Sequence, residues 1–218
     1  MTIDKRLSAI VNEIDGNVLV DCGCDHGKVT CEALLQGKVN KVIATDISAK
    51  SLQKCINLAK KLKLENIECR CGDGLKVIKD NEADTVCIAG MGGYEIIKIL
   101  SRAPKGIKKL VLCPHQDIKA LREYLQDSWR IQKDSTIYIA EHFYNLIVAI
   151  PGKQKLSSKE LLLGQDSIDN KDYVLMLNAL KEKYKKIETQ NIPQSRFEEC
   201  EEVLRIINGE LDGSKKDI

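Results

Sequence analysis

Glycines cluster at three places in this chain, two of them with carboxylates. They are Asp21-Cys22-Gly23-Cys24-Asp25-His26-Gly27, Gly72-Asp73-Gly74 and Ala89-Gly90-Met91-Gly92-Gly93. A further acid, Asp46, closes the apolar run Val42-Ile43-Ala44-Thr45 and is followed by Ile47. An ionised carboxylate only accepts hydrogen bonds. Asp46 at a strand end therefore suits the hydroxyls of a ribose, and Asp73 suits the amino group of an adenine. Asp73 as a cap for a helix over Leu75–Ile78 is the alternative. Gly23 lacks a Cβ, so the backbone can turn tightly and come close to a ligand. The three glycines among residues 89–93 point the same way. A pyrophosphate-binding turn reads G-x-G-x-x-G; here the turn reads D-x-G-x-D-x-G and lacks the needed glycine. The chemistry on offer is the holding of an adenosyl group and the positioning of a second molecule beside it.

Elements that place these residues follow from periodicity. Val18-Leu19-Val20 reads as a strand before the first turn, and Val29–Leu35 as the helix after it. Apolar residues Ile3, Leu7, Ile10, Val11 and Ile14 have helical spacing, with Lys5 and Arg6 off the stripe. Lys41–Asp46, Ile67–Arg70, Asp84–Ile88 and Leu110–Cys113 read as further strands. Ser48 caps a helix from Ala49 to about Leu62, with Leu52, Ile56, Ala59 and Leu62 inward. Helices are expected over Tyr94–Arg102 and about Asp117–Ser128, and a hairpin near 131–135 and 144–150. Strands alternating with helices make a parallel α/β sheet, here with seven strands.

Past Pro151-Gly152 the composition changes. Ser157 and Glu160 form a capping box before Leu161–Leu163, and Ser195 and Glu198 a second. Apolar residues at 173, 177, 180, 184 and 187 follow a heptad, as do Phe197, Cys200, Leu204 and Ile207. The expectation is a sheet domain over 1–152 and a coiled-coil-like helical hairpin over 153–218, with a disordered tail from about 213.

The formal net charge is +2, so no global basic field advertises nucleic acid, although a local patch is sufficient. No run of about 18 apolar residues is present, so no membrane span is expected. Nine cysteines with no apolar N-terminal segment read as reduced thiols in a cytoplasm. Cys22, Cys24 and His26 lack the spacing of a structural zinc site, and no metal is expected.

Taken together these stretches resemble the bacterial tRNA (adenine-22-N1)-methyltransferase family. Arg6-Leu7, Asp21-x-Gly23-x-Asp25-His26, Gly72-Asp73-Gly74-Leu75-x-Val77-Ile78 and Asp84-Thr85-x-x-Ile88-Ala89-Gly90-Met91-Gly92-Gly93 carry the likeness. Leu121-Arg122, Trp129-x-Ile131, Tyr144 and Leu161-Leu162-Leu163-Gly164 extend it over nearly the whole chain. The resemblance implies a Rossmann-like methyltransferase sheet with a C-terminal helical hairpin, S-adenosylmethionine as cofactor and tRNA as partner. It implies cofactor contacts from Asp21, Cys22, Gly23, Gly27, Asp46, Ile47, Gly72, Asp73, Gly74, Ala89 and Gly90. The chain departs from the family at Cys24, at Gly27-Lys28-Val29-Thr30 and at Cys113-Pro114-His115, on the expected substrate side.

The sulfonium methyl is already electrophilic, so catalysis is mostly positioning. Adenine N1 carries a lone pair and needs no strong base. The Ala89-Gly90-Met91-Gly92 loop, in place of the Asp/Asn-Pro-Pro-aromatic run of exocyclic-amine enzymes, favours a ring nitrogen. Asp25 and His26 are expected to orient the adenine or stabilise the cation, with Gly90, Met91 and Gly92 around the base. Asp25 bonding backbone amides and His26 as a structural donor is the bland alternative. Arg6, His115, Lys181 and Lys185 are the expected RNA contacts, although a solvated helix face explains the lysines equally well. A monomer or weak homodimer is expected. Two other readings stay open: the same fold acting on another RNA site or a small molecule, and a non-catalytic binding module.

Overall fold

Strands buried on both faces must be covered on both faces, and apolar runs of five or six residues with helices between them meet that need. In the computed structural model, which describes residues 3–190 and 192–213, they form one seven-stranded sheet. The strands are β1 (Val18–Cys22), β2 (Lys41–Asp46), β3 (Ile67–Cys71), β4 (Thr85–Ala89), β5 (Lys109–Cys113), β6 (Trp129–Ile139) and β7 (His142–Pro151). Their order is β3-β2-β1-β4-β5-β7-β6. The first five strands run parallel and β7 is antiparallel to both its neighbours. The chain winds outward through β2 and β3, then crosses back to β4 beside β1. That reversal opens a crevice at the carboxyl ends of β1 and β4.

Helices α1 (Lys5–Glu13), α2 (Lys28–Leu35) and α3 (Ala49–Lys61) cover one face. Helices α4 (Gly93–Leu100) and α5 (Ile118–Leu125) cover the other, where Ile88, Ile96, Leu110, Leu112, Leu121 and Leu125 are fully buried. On α3 the inward residues are Leu52, Cys55 and Ala59; Cys55, not Ile56, takes the second position. The expected ends of α4 and α5 were too generous, and both helices stop after eight residues.

The hairpin β6–β7 is longer than the apolar pattern suggests. Its two-residue turn, Ala140-Glu141, has both residues at positive φ (48° and 65°). Such a turn matches the strand twist but is normally built from Asn or Gly, so this pair gives no sequence signal.

Helices α6 (Ser158–Leu163), α7 (Lys171–Glu188) and α8 (Gln194–Gly213) follow. The Ser157–Glu160 capping box is present, with both reciprocal hydrogen bonds. The second one is not: α8 begins at Gln194, after Pro193, so Ser195 lies inside the helix and caps nothing. Proline tolerates a helix start because its missing N–H would be unpaired there anyway. Tyr173 and Leu177 of α7 pack with Val203 and Ile207 of α8 and reach Leu163 and Phe143. The expectation of a disordered tail falls largely on residues 214–218, outside the described residues.

Candidate active site

The crevice at the carboxyl ends of β1, β2 and β4 is a cavity of about 600 Å³. Its first wall is the turn after β1. The amides of Gly23 and Cys24 both donate to the carbonyl of Thr45, at 2.8 and 3.0 Å, which pins the turn to β2. Gly23 has φ +75°, and a Cβ there would stand 2.3 Å from Cε of Met91. The turn therefore requires glycine for its backbone as well as for space.

Asp46 organises the second wall. Its Oδ2 accepts the Asp25 amide (3.2 Å) and its Oδ1 accepts the Ser48 amide (2.8 Å). Each carboxylate oxygen keeps lone-pair capacity for a further donor in the cavity. Ile47, 77% exposed, presents an apolar side chain at the rim. Gly72, Asp73 and Gly74 continue the wall. Asp73 makes no side-chain cap bond to the 3-10 turn Gly74–Val77, so the capping alternative fails. Its carboxylate instead bonds Lys76 and lies 3.5 Å from Arg102, and the Lys76 ammonium holds it below the usual carboxylate range.

Asp21 is buried at the floor, where Oδ2 accepts the amide (3.1 Å) and the hydroxyl (2.5 Å) of Thr30. Burial pushes its carboxyl up from 3.8 to about 6, against the pull of the Thr30 bonds. The folded state thus holds a proton that the unfolded chain gives up first, so this group costs stability as pH rises from 3.8 to about 6. At ~1.4 kcal/mol per unit, the cost reaches about 3 kcal/mol above that window. Asp21→Asn is free of this cost. Urea melts should show its stability, relative to the parent, improving by up to ~3 kcal/mol between pH 4 and pH 7. A constant difference across that range would show that Asp21 titrates normally.

Asp25 and His26 stand at the cavity mouth with side chains 68% and 52% exposed, 3.7 Å apart. Asp25 is held at φ +46°, a left-handed conformation that aspartate tolerates better than most residues. Its amide is spent on Asp46 and its carboxylate lies beside His26, whose Nε2 is also 3.1 Å from Nζ of Lys54.

Gly90 and Met91 close the third side, and Gly90 has φ +79° with open space where a Cβ would be. Arg6 enters from α1, its guanidinium 5.2 Å above the Tyr144 ring.

Five expected site residues do not line the crevice; three of them, His115, Lys181 and Lys185, were expected to contact RNA. Gly27 starts α2 in a left-handed conformation and packs against Cys55, where a Cβ would stand 2.4 Å from Sγ. Gly92 starts α4 and backs onto Gln116. His115 lines a second cavity, and Lys181 and Lys185 stand on α7 away from the crevice, Lys185 paired with Glu182. Conversely, Asp4, Lys28, Glu95 and Ile99 line the crevice, and Thr30 anchors Asp21. A hydroxyl in the first turn of an otherwise apolar helix was the available signal for Thr30. Among the described residues, no group of three or more His, Cys, Asp or Glu is arranged to hold a metal ion.

These features fit an adenosyl ligand: a carboxylate with spare acceptors at the β2 end, a glycine-walled cradle and an apolar flank. The sequence profile of the methyltransferase domain family matches residues 3–147. The chain belongs to that family. This methyltransferase is 36% identical over 130 residues to the tRNA (adenine(22)-N(1))-methyltransferase of Bacillus subtilis; the match spans 57% of this chain and about half (55%) of that enzyme. The crystal structure of the B. subtilis m1A22 tRNA methyltransferase TrmK superposes with a TM-score of 0.80 at 25% identity, covering 95% of this chain and 98% of that one. The Streptococcus pneumoniae protein Sp1610 in complex with S-adenosyl-L-methionine gives 0.86 at 25% identity, over 96% of this chain and 100% of that one. No helix among the described residues is long and apolar enough to cross a membrane.

Proposed function

We propose that this methyltransferase transfers the methyl group of S-adenosylmethionine to N1 of an adenine in tRNA, at position 22 by likeness to the B. subtilis enzyme. The observation that carries the reading is the crevice itself, lined by Asp46, Asp73 and the Gly23 turn, by Gly90 and Met91, and by Asp25 at its mouth. When bound, S-adenosylmethionine supplies an electrophilic methyl group. Asp46 holds the ribose hydroxyls, Asp73 and Ile47 hold the adenine, and Asp21, Cys22 and Gly23 form the floor beneath. A target base turned out of its stack lies against the Gly90-Met91 backbone. N1 becomes cationic as it is methylated, and the Asp25 carboxylate stabilises that charge. His26 orients the base edge. The helical hairpin of α7 and α8 holds the tRNA backbone through Lys181 and Lys185, and the protein works in the cytoplasm as a monomer or weak homodimer.

Incubation with methyl-labelled cofactor and unmodified bulk tRNA, followed by nucleoside analysis, is the test. The expected product is labelled 1-methyladenosine. Cofactor binding without transfer would overturn the substrate and leave the fold's chemistry to another acceptor. Within the same assay, Asp25→Asn keeps the left-handed backbone but removes the charge. It is expected to lower kcat roughly 10²-fold with cofactor affinity unchanged. An equal loss of cofactor affinity would place Asp25 among the binding groups instead.

A further inference from the structure

A second cavity, of about 550 Å³, lies between the end of β5, the β6–β7 hairpin and α7. It is within the size range of small-ligand sites. Strand alternation sets its floor: Phe143, Asn145 and Ile147 share one face of β7, while Tyr144 and Leu146 point to α1. Met176, Ala179 and Leu180 of α7 form the roof.

Asn145 is 5% exposed, and its side-chain amide makes no hydrogen bond to the described residues but is not sealed from solvent. It lines this cavity. An amide that faces a cavity and bonds no protein group is free to bond a ligand there. The amide offers one acceptor and two donors, a pattern that pairs with the edge of a nucleobase. Phe143 also lines the cavity, its ring tilted by 34° against that of Tyr138 with centroids 4.7 Å apart. Base stacking on such rings is tolerant of sequence. The ionisable groups lining the cavity are Lys183, His115, His142 and Glu141, together with Arg122. The Arg122 charge is already matched by Asp134, which leaves Lys183 and the two imidazoles for a phosphate.

The two cavities are neighbours. The amide of His115 donates to the carbonyl of Met91 at 3.1 Å, so one loop separates them. We infer that the second cavity is a subsite for another unpaired nucleotide of the RNA substrate, its base paired by Asn145 and stacked on Phe143. The inference rests on the proposed RNA substrate and assigns it a second anchor, which fixes how the target base enters the crevice.

Asn145→Leu is nearly isosteric and removes the amide. For this variant we expect three results together. The Kd for an unmodified tRNA transcript rises roughly tenfold. The Kd for S-adenosylmethionine stays within about twofold of the parent, as befits a site outside the crevice. Tm stays within about 2 °C of the parent, because the amide bonds no protein group. A structural asparagine would instead lower Tm. Phe143→Leu provides an independent check and should weaken tRNA binding to a similar extent. Unchanged tRNA affinity in both variants, with a parent that binds and methylates tRNA, overturns the subsite alone. A fall in Tm accompanied by joint loss of tRNA and cofactor affinity also overturns it. A parent that binds cofactor but not tRNA overturns the substrate reading, and the subsite with it.

Discussion

Asp46→Ala should lose S-adenosylmethionine binding by about 10² to 10⁴-fold. In the proposed complex this carboxylate takes two ribose hydroxyls, and each hydrogen bond to a charged group contributes ~1.5–3 kcal/mol. The same oxygens already accept the amides of Asp25 and Ser48, so the group is fixed before a ligand arrives. Such fixing removes the ordering cost that a free side chain would add to binding. The two amides left behind lie at the cavity edge, where water can reach them, and the fold should survive. Calorimetric titration of cofactor into the variant is the check, with circular dichroism to confirm folding. A loss below threefold would mean that the ribose is held elsewhere. Asp73→Ala should be milder, about tenfold, since its carboxylate is exposed and shared with Lys76 and Arg102.

Asp134→Ala should destabilise the fold by about 3–5 kcal/mol, a fall in Tm of roughly 10 °C. The side chains of Arg122 and Asp134 are 3% and 0% exposed and meet in a two-pronged pair, Nε to Oδ2 at 2.7 Å and Nη2 to Oδ1 at 3.1 Å. Nη1 of Arg122 also donates to the carbonyls of Leu161 and Leu162, both at 3.2 Å. Removing the carboxylate leaves a guanidinium buried without its counter-charge, which costs far more than losing a surface pair. The double variant Arg122→Met, Asp134→Leu should recover much of the loss, because it leaves no buried charge. Thermal melts of the three proteins decide the matter; an Asp134→Ala Tm within about 2 °C of the parent would refute it.

That joint also shows where sequence reading stopped. Leu121-Arg122 and Leu161-Leu162-Leu163-Gly164 are legible as family-like stretches, yet nothing in either says that they touch. Gly164 has φ +90°, and a Cβ there would stand 2.6 Å from Nη2 of Arg122, so the glycine is part of the same joint. The inner parallel strands were legible because burial on both faces writes an apolar run, which the half-buried edge strand β3 lacks. The β1 turn, Asp46 and Asp73 were legible because acids and glycines at strand ends have little use in packing. Gly27 and Gly92 do not line the crevice for one reason: adjacency in sequence says which end of the sheet a residue occupies, not which side of its loop it faces. Asn145 was silent because a lone polar residue in a strand is ordinarily read as facing solvent.

The strand order has a consequence for synthesis of the protein. The strand that carries the first turn, β1, pairs with β4, and the amides of Asn17 and Val18 are held by the carboxylate of Asp84. Contacts between distant segments form only after the intervening chain has been made and its loop closed. A nascent chain that has emerged as far as β3 therefore has the β1 turn, Asp46 and Asp73, but no Ala89-Gly90-Met91 wall facing them. The ligand cannot act as an early template for folding; it can only stabilise a sheet whose inner strands have already met.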